Sequence, residues 1–500
     1  STVYRRIKLN PLKKLAGQTA VYGLSSIVGR LLNYLLVPLY TRYFTTSEYG
    51  EVTTIYALVA FLVIILTYGM ETAFFRFSQR EPNKNIVYST SLIALLFTTS
   101  LFIAIMLFYK EEIAGLVRFS NNPEYIQWFA FIIGLDAISS ISFAKLREQN
   151  KATRFALIRL VNIFINIGLN LFFIIYCPFA IKNNLPSANF VQSLYNENIG
   201  IGYIFIANLI ASATTILMLI PEMTSSFWRF DFRLFKKMLT YALPLMIAGL
   251  AGITNETIDR ILLNYLLPEN IASSEVGIYS AFYKLAIIMT LFVQTFRIAA
   301  EPFFFTQEKK QNAKQTYADV MKYFVIITAL IFLGVIMYYD IVKEFIGKDF
   351  HDERGAIIVP ILLLANLFLG IYYNLTVWFK LTEKTYFGAY LSVFGAIITL
   401  LLNIILIPHI GFVGSAWATL ACYFLMMIAS YFLGQKYYPI PYDLKRIFSY
   451  LGLMLVLFYL SYYFHTGMLF KTIYILIFLG AAFFIEKVKK RVISTPELFD

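Results

Sequence analysis

Apolar runs of eighteen or more residues recur along almost the whole 500-residue chain, and they restrict the fold more than any other feature. Each is long enough to cross a hydrocarbon core of ~30 Å as a helix rising ~1.5 Å per residue. Fourteen candidate spans of about this length are present, among them 17–40, 52–73, 239–266, 277–300, 447–464 and 470–486. No soluble arrangement suits such a chain: 59% of its residues are apolar and 14% charged, against about 25% charged in soluble proteins. The reading is an all-α polytopic membrane protein of about fourteen transmembrane helices.

The net charge of +13 would suggest a nucleic-acid partner in a soluble protein. Here Lys and Arg concentrate in the N-terminal tail and in alternate loops counted from it, as the positive-inside rule requires when both termini are cytoplasmic. An odd number of false or missed spans would scramble that alternation. The excess basicity therefore reads as topology signal and contact with anionic membrane lipids, with no nucleic acid. The opening "STVYRRIKLNPLKKL" is basic and has no apolar core ahead of a small-residue cleavage site, so no cleavable signal peptide is expected. It is expected to lie at the inner interface.

Two cysteines, Cys177 and Cys422, and three histidines, His351, His409 and His465, are scattered singly. Their spacing implies neither a disulfide framework nor a metal site, and there is no phosphate-binding loop. No cofactor or metal is expected.

The chain also repeats itself. "LLNYLL" occurs at Leu31–Leu36 and Leu262–Leu267, 231 residues apart, each copy preceded by an arginine (Arg30, Arg260) and followed by a proline. "LKKLAGQTA" from Leu12 resembles "FKKMLTYAL" from Phe235, and "EYGEVTTIYA" from Glu48 resembles "EVGIYSAFYK" from Glu275. "GMETAFFRF" from Gly69 falls where "IAAEPFFFT" from Ile298 falls, aligning Glu71 with Glu301. Span 1 then corresponds to span 7 and span 2 to span 8. Six is even, so both copies enter the membrane in the same direction. That makes two parallel six-helix lobes about an axis along the membrane normal, with the substrate site expected between them near the midplane. The expected domains are 1–226, 227–435 and a two-span appendage, 436–500. The junction Glu222–Leu239, rich in aromatic and basic residues, reads as an amphipathic helix in the inner headgroup layer.

Charged side chains at the bilayer centre cost ~2.5–3.5 kcal/mol even on the lenient insertion scale, and they normally face a bundle interior or an aqueous cavity. The candidates are Arg30, Asp136, Glu256, Asp259, Arg260, Lys284 and Arg297, with Glu71 and Glu301 nearer the inner side. Glu256–Arg260 and Arg297–Glu301 have the i, i+4 spacing of local ion pairs. Arg30 and Asp136 have no opposite charge one turn away, so a polar cavity explains them better. Glu71 either snorkels to the interface or finds a partner on another helix. Arg30, Arg260, Lys284, Arg297 and Asp136 are thus the expected lumen residues. A lumen so rich in cations suits an anionic headgroup such as a diphosphate, which guanidinium binds through two parallel hydrogen bonds.

The stretch Gly17–Phe77, with its polar start "GQTAVYGL", its turn "PLYTRYFTTSEYG" containing Arg42 and its exit "GMETAFFRF", resembles the opening spans of polysaccharide-specific transporters of the multidrug/oligosaccharidyl-lipid/polysaccharide exporter superfamily. "IPHIGFVGSAWAT" at Ile407–Thr419 resembles that family's turn between spans 11 and 12, and the six-plus-six-plus-two plan extends the likeness over the chain. The resemblance implies a flippase of the bacterial cytoplasmic (inner) membrane. It would move undecaprenyl-diphosphate-linked oligosaccharide, a unit of surface polysaccharide such as O-antigen, to the outer leaflet by alternating access. Arg30 would stand at the cationic lumen position and Arg42 at the outer turn. Apart from the resemblance, Glu256, Asp259, Glu71, Glu301 and Arg42 are the coupling or gating candidates. The expected partners are the lipid-linked glycan, membrane lipids and polysaccharide assembly proteins, around a monomer. In related lipid II flippases spans 13–14 form a groove for the polyprenyl tail; fewer basic residues in span 2 make lipid II the less favoured substrate here. A cation-coupled multidrug exporter usually has twelve spans and a less basic lumen. A glycan polymerase or acyltransferase would carry a large outer catalytic loop. The one enzyme-like cluster, "GKDFHDERG" around His351, reads as a solvated turn.

Overall fold

The computed structural model describes residues 28–119, 122–225, 228–308, 310–464 and 467–494, with side chains throughout except at Pro302, Thr306 and 488–494. The basic N-terminal segment, most of the first span and His465 lie outside the described residues. Among the described residues the chain is helical, with no strand. Thirteen helices are long and apolar enough to cross a membrane, and they fall on the second to fourteenth apolar runs.

The first span is described from residue 28 and ends in α1 (Val37–Tyr43). The following helices are α2 (Thr46–Thr67, resuming as Met70–Ser78), α3 (Lys84–Phe108), α4 (Glu124–Glu148), α5 (Ala152–Leu171, carried on by a π-helical turn to Lys182) and α6 (Gly202–Thr224). Then come α7 (Phe232–Leu266), α8 in two halves (Glu269–Leu285 and Ile287–Gln307), α9 (Ala313–Met337), α10 (Gly355–Leu375), α11 (Tyr386–Ile410), α12 (Phe412–Tyr437), α13 (Leu444–Tyr463) and α14 (Met468–Ser494).

The chain divides into two compact units, one made of 1–44 and 51–253, the other of 45–50 and 254–500. Helices α2 and α7 therefore each contribute to both. In the first unit, α1, α2, α4, α5 and α6 share a core in which Phe205 meets Phe129 edge-on at 4.6 Å. A second cluster joins α2, α3 and α4 to the start of α7. There α2 breaks at Tyr68 and Gly69, both with positive φ. A β-carbon on Gly69 would lie 2.7 Å from the Ala242 carbonyl oxygen, so glycine is what lets α7 pass this close. In the second unit α10, α11 and α12 enclose Trp378, whose ring stacks on Tyr437 at 5.6 Å.

The junction between the spans corrects the expectation of a separate amphipathic helix. Helix α6 ends at Thr224, and α7 begins at Phe232 with its Leu234 amide bonded to the Asp231 carboxylate at 3.0 Å. The 35 residues of α7 extend about 52 Å, well beyond a ~30 Å core. The aromatic and basic pattern at Phe232–Leu239 is thus the N-terminal overhang of a long spanning helix.

Helices α13 and α14 pack on α9 within the second unit. Lys322, 3% exposed at the start of α9, meets the Glu486 carboxylate of α14 at 2.5 Å. Tyr450 and Arg446 of α13 reach the same carboxylate at 2.7 and 3.3 Å. One acid thus joins three helices, α9, α13 and α14. The 339–354 segment is also more than a solvated turn, because Ile346 and Phe350 are fully buried and Phe350 packs edge-on against Tyr49.

The N-terminal parts of α2 and α8 cross at two glycines, both within the second unit. A β-carbon on Gly50 would fall inside the Ser273 carbonyl oxygen, and one on Gly277 inside the Thr46 carbonyl oxygen. Thr46 and Ser274 join hydroxyls across the crossing at 2.7 Å. Position 46 is to 273 as 50 is to 277 in the internal repeat, so the contact is reciprocal, as at a local two-fold axis.

Candidate functional site

A buried charge cluster lies where α7 passes the first half of α8. Asp259, 4% exposed, accepts from the Arg260 amide at 2.9 Å and from Arg260 Nη1 at 3.0 Å. Its second oxygen takes the Tyr279 hydroxyl at 2.6 Å. The Arg260 guanidinium lies 4.6 Å from the centre of the Tyr283 ring, one turn further along α8. Neighbouring residues on one helix do not normally share a face. Arg260 nevertheless folds back onto Asp259, because Tyr279 anchors that carboxylate from the facing helix. The i, i+4 spacing of Glu256 and Arg260 is met through the backbone: Arg260 Nη1 bonds the Glu256 backbone oxygen at 3.0 Å, and the Glu256 side chain is exposed.

Lys284 follows Tyr283 and is partly buried, close enough to Arg260 to feel its like charge. Among the described residues no carboxylate pairs with its ammonium within 4 Å. Below this cluster, Asn255 ties α7 to α11 and α12. It donates to the Ser392 carbonyl at 3.2 Å, accepts from Thr399 at 3.3 Å, and its carbonyl takes the Tyr423 hydroxyl at 3.1 Å.

The second half of α8 corrects a local pairing. Glu301 binds Lys380, just beyond α10, at 3.1 Å, while Arg297 sits 4.5 Å from the Tyr373 ring centre. Contact with α10 wins over the i+4 spacing. The two pairs line a cleft of about 20 Å³, room for a water molecule.

In the first unit, Asp136 on α4 accepts from Ser212 of α6 at 2.8 Å. Arg159 on α5 is near enough for its charge to act on Asp136, and its guanidinium rests 4.2 Å from the Phe143 ring centre. Glu71 pairs with Arg147 of α4, which decides for an inter-helix partner over snorkelling. Arg30 and Arg42 are exposed on the first-span helix and α1. The sequence reading missed Arg159, which lies one turn inside its span where basic residues read as topology signal. It also missed Tyr279 and Tyr283, although their i, i+4 spacing just before Lys284 was a usable sign.

These geometries can be set against known proteins. A profile of the family described as "Polysaccharide biosynthesis protein" matches residues 15–308. No curated protein matches the chain significantly. Among solved structures, the fold is similar to a lipid II flippase, MurJ, in an inward closed conformation, with TM-score 0.73 and 14% identity over 94% of this chain and 99% of that one. It is also similar to an inward-facing multidrug resistance MATE transporter of the MOP superfamily, with TM-score 0.61 and 13% identity over 84% and 94%. A third, a MOP superfamily transporter from Pyrococcus furiosus, gives 0.51 and 15% over 85% and 94%. At such identities these likenesses establish the fold, a two-lobe assembly of membrane-spanning helices. The profile match runs from the first span through both halves of α8, more than half of the sequence, and so this chain belongs to the polysaccharide biosynthesis protein family.

Proposed function

We propose that the protein flips polyprenyl-diphosphate-linked oligosaccharide, with undecaprenyl as the carrier, from the cytoplasmic to the outer leaflet of a bacterial inner membrane by alternating access. The observation that carries this reading is Lys284, an ammonium in a predicted span with no carboxylate partner among the described residues. Such a charge is costly in a membrane, by about 2.5–3.5 kcal/mol at the helix centre. A bound anion would offset that cost. Beside it the Arg260 guanidinium lies 4.6 Å from the Tyr283 ring centre, and its nitrogens other than Nη1 are the fork it would offer to a phosphate. Family membership supplies the polysaccharide context, and a protein of similar fold is named a lipid II flippase, which supports movement of a lipid-borne substrate.

In this reading Arg260, Lys284 and Arg297 bind the diphosphate, and Arg30 is the first unit's cationic contribution. Asp136, with Arg159 beside it, lines the lumen, and Glu256, Asp259, Glu71, Glu301 and Arg42 are coupling or gating candidates. The protein is not an enzyme, works as a monomer with both termini cytoplasmic, and hands its product to polysaccharide assembly proteins.

The test is a reconstituted assay in which an added glycosidase reaches only the lipid-linked glycan that has crossed to the outer face of the vesicle. Lys284→Met keeps the length and apolar stem of the side chain and removes the charge. It is expected to slow flipping at least tenfold, which is about 1.4 kcal/mol of transition-state stabilisation. Wild-type rates in this variant would overturn the reading.

A further inference from the structure

On the loop side of the second unit, Phe282, Tyr339, Lys343, His351, Asp352, Glu353 and Ala356 line a half-open cavity of about 330 Å³. At ~30 Å³ per water it would hold about ten waters, which puts it at the lower edge of small-molecule pockets. It lies between α9 and α10, and the charge pattern puts that connection on the outer face.

The walls are braced. Arg354 grips Glu275 with two bonds of 2.7 and 2.8 Å and holds Asp352 at 2.8 and 2.9 Å. This pairing keeps the Asp352 carboxyl below its usual range, so it stays an acceptor. His351 Nε2 is fixed on the Lys343 carbonyl at 3.0 Å, and the Lys343 ammonium on Asp340 at 3.0 Å. The Phe282 ring is pinned against Gly355, where a β-carbon would collide with it. Burial, reinforced by the negative charges of Asp340 and Asp352, pushes the Tyr339 phenol up to about 12, so its hydroxyl remains a donor. Glu353 is exposed and forms no ion pair with its carboxylate among the described residues.

The chemistry separates this cavity from the cationic cluster. From Tyr339 to Arg354 the loop carries five acids, Asp340, Glu344, Asp349, Asp352 and Glu353, against the three cations Lys343, Lys348 and Arg354. That is a negative patch on a chain of net charge +13, unsuited to a diphosphate. Carboxylates, a phenol and an imidazole are groups that meet sugar hydroxyls, and the half-buried Tyr339 ring is the aromatic face open to a pyranose. We propose that this outer cavity is a saccharide subsite, taking a neutral or amino sugar of the translocated glycan and rejecting acidic sugars. It rests on the flippase reading for the source of the sugar, though not for the binding itself.

The test is saturation-transfer NMR on the full chain in nanodiscs with free glucose, N-acetylglucosamine, glucosamine and glucuronic acid. Neutral or amino sugars are expected to bind in the millimolar range and glucuronic acid not at all. Tyr339→Ala should weaken binding at least fivefold. Glu353→Gln, an exposed and nearly isosteric change that leaves folding intact, should weaken glucosamine more than glucose. Absence of any transfer to wild-type protein would overturn the subsite, as would equal binding by Tyr339→Ala and Glu353→Gln or a preference for glucuronic acid. Lys284→Met is expected to bind the same sugars as wild type. Sugar binding that survives normal flipping by that variant would refute the diphosphate site and leave the subsite standing, and lost binding beside slowed flipping would do the reverse.

Discussion

Arg260→Ala is expected to abolish transport of the lipid-linked glycan and to cost about 3–5 kcal/mol of stability, the price of leaving a buried charge unpaired. The stranded group is Asp259, 4% exposed and bonded to Arg260 and Tyr279. The two effects can be separated. Asp259→Asn combined with Arg260→Gln removes both charges, so the protein should fold close to normally while transport stays lost. Arg260→Lys should recover part of the rate, because a point charge keeps the attraction and loses the fork. Thermal unfolding in detergent beside vesicle flipping measures both. A double variant that folds and transports at the wild-type rate would reduce Arg260 to a structural role.

The second large effect concerns the crossing of α2 and α8. Thr46→Cys with Ser274→Cys should form a disulfide readily, since the native hydroxyl oxygens lie 2.7 Å apart. Transport should stop when that bond forms and return on reduction, if the two helix ends separate during the cycle. Gly277→Val puts a branched side chain onto the Thr46 carbonyl oxygen, and Gly50→Val does the same to Ser273. Backbone cannot yield as a flexible side chain can, so each change should force the helices apart, abolish the crosslink and cost about 1–3 kcal/mol. Because both act on one contact, their combination should cost less than the sum. Undiminished transport by the crosslinked protein would show that this crossing never opens.

Much of this architecture was legible because membrane helices announce themselves by apolar length alone. The thirteen described spans fall on runs visible in the sequence, and the offset of 227 between "EYGEVTTIYA" and "EVGIYSAFYK" aligns Gly50 with Gly277. Pairing within the spans was harder to read. Local spacing put Arg260 with Glu256 and Arg297 with Glu301, yet Tyr279 holds Asp259 for Arg260 and Lys380 takes Glu301. In each case a side chain from another helix decides, and a one-dimensional pattern does not contain it. Arg159 was missed for a related reason, since an arginine near a span's inner end looks the same whether it meets headgroups or Asp136. The cavity beside His351 was hidden because its loop reads as solvated charge, while Ile346 and Phe350 anchor it from below.

The central claim is that this chain carries a glycan on a polyprenyl diphosphate, and mass spectrometry of the lipids retained by the purified protein tests it most directly. Wild-type protein from cells making the glycan should retain a polyprenyl-diphosphate oligosaccharide, and the Asp259→Asn, Arg260→Gln protein should have lost it while keeping ordinary phospholipids. Phospholipids alone in the wild-type sample, or the same glycan lipid in both samples, would contradict the account.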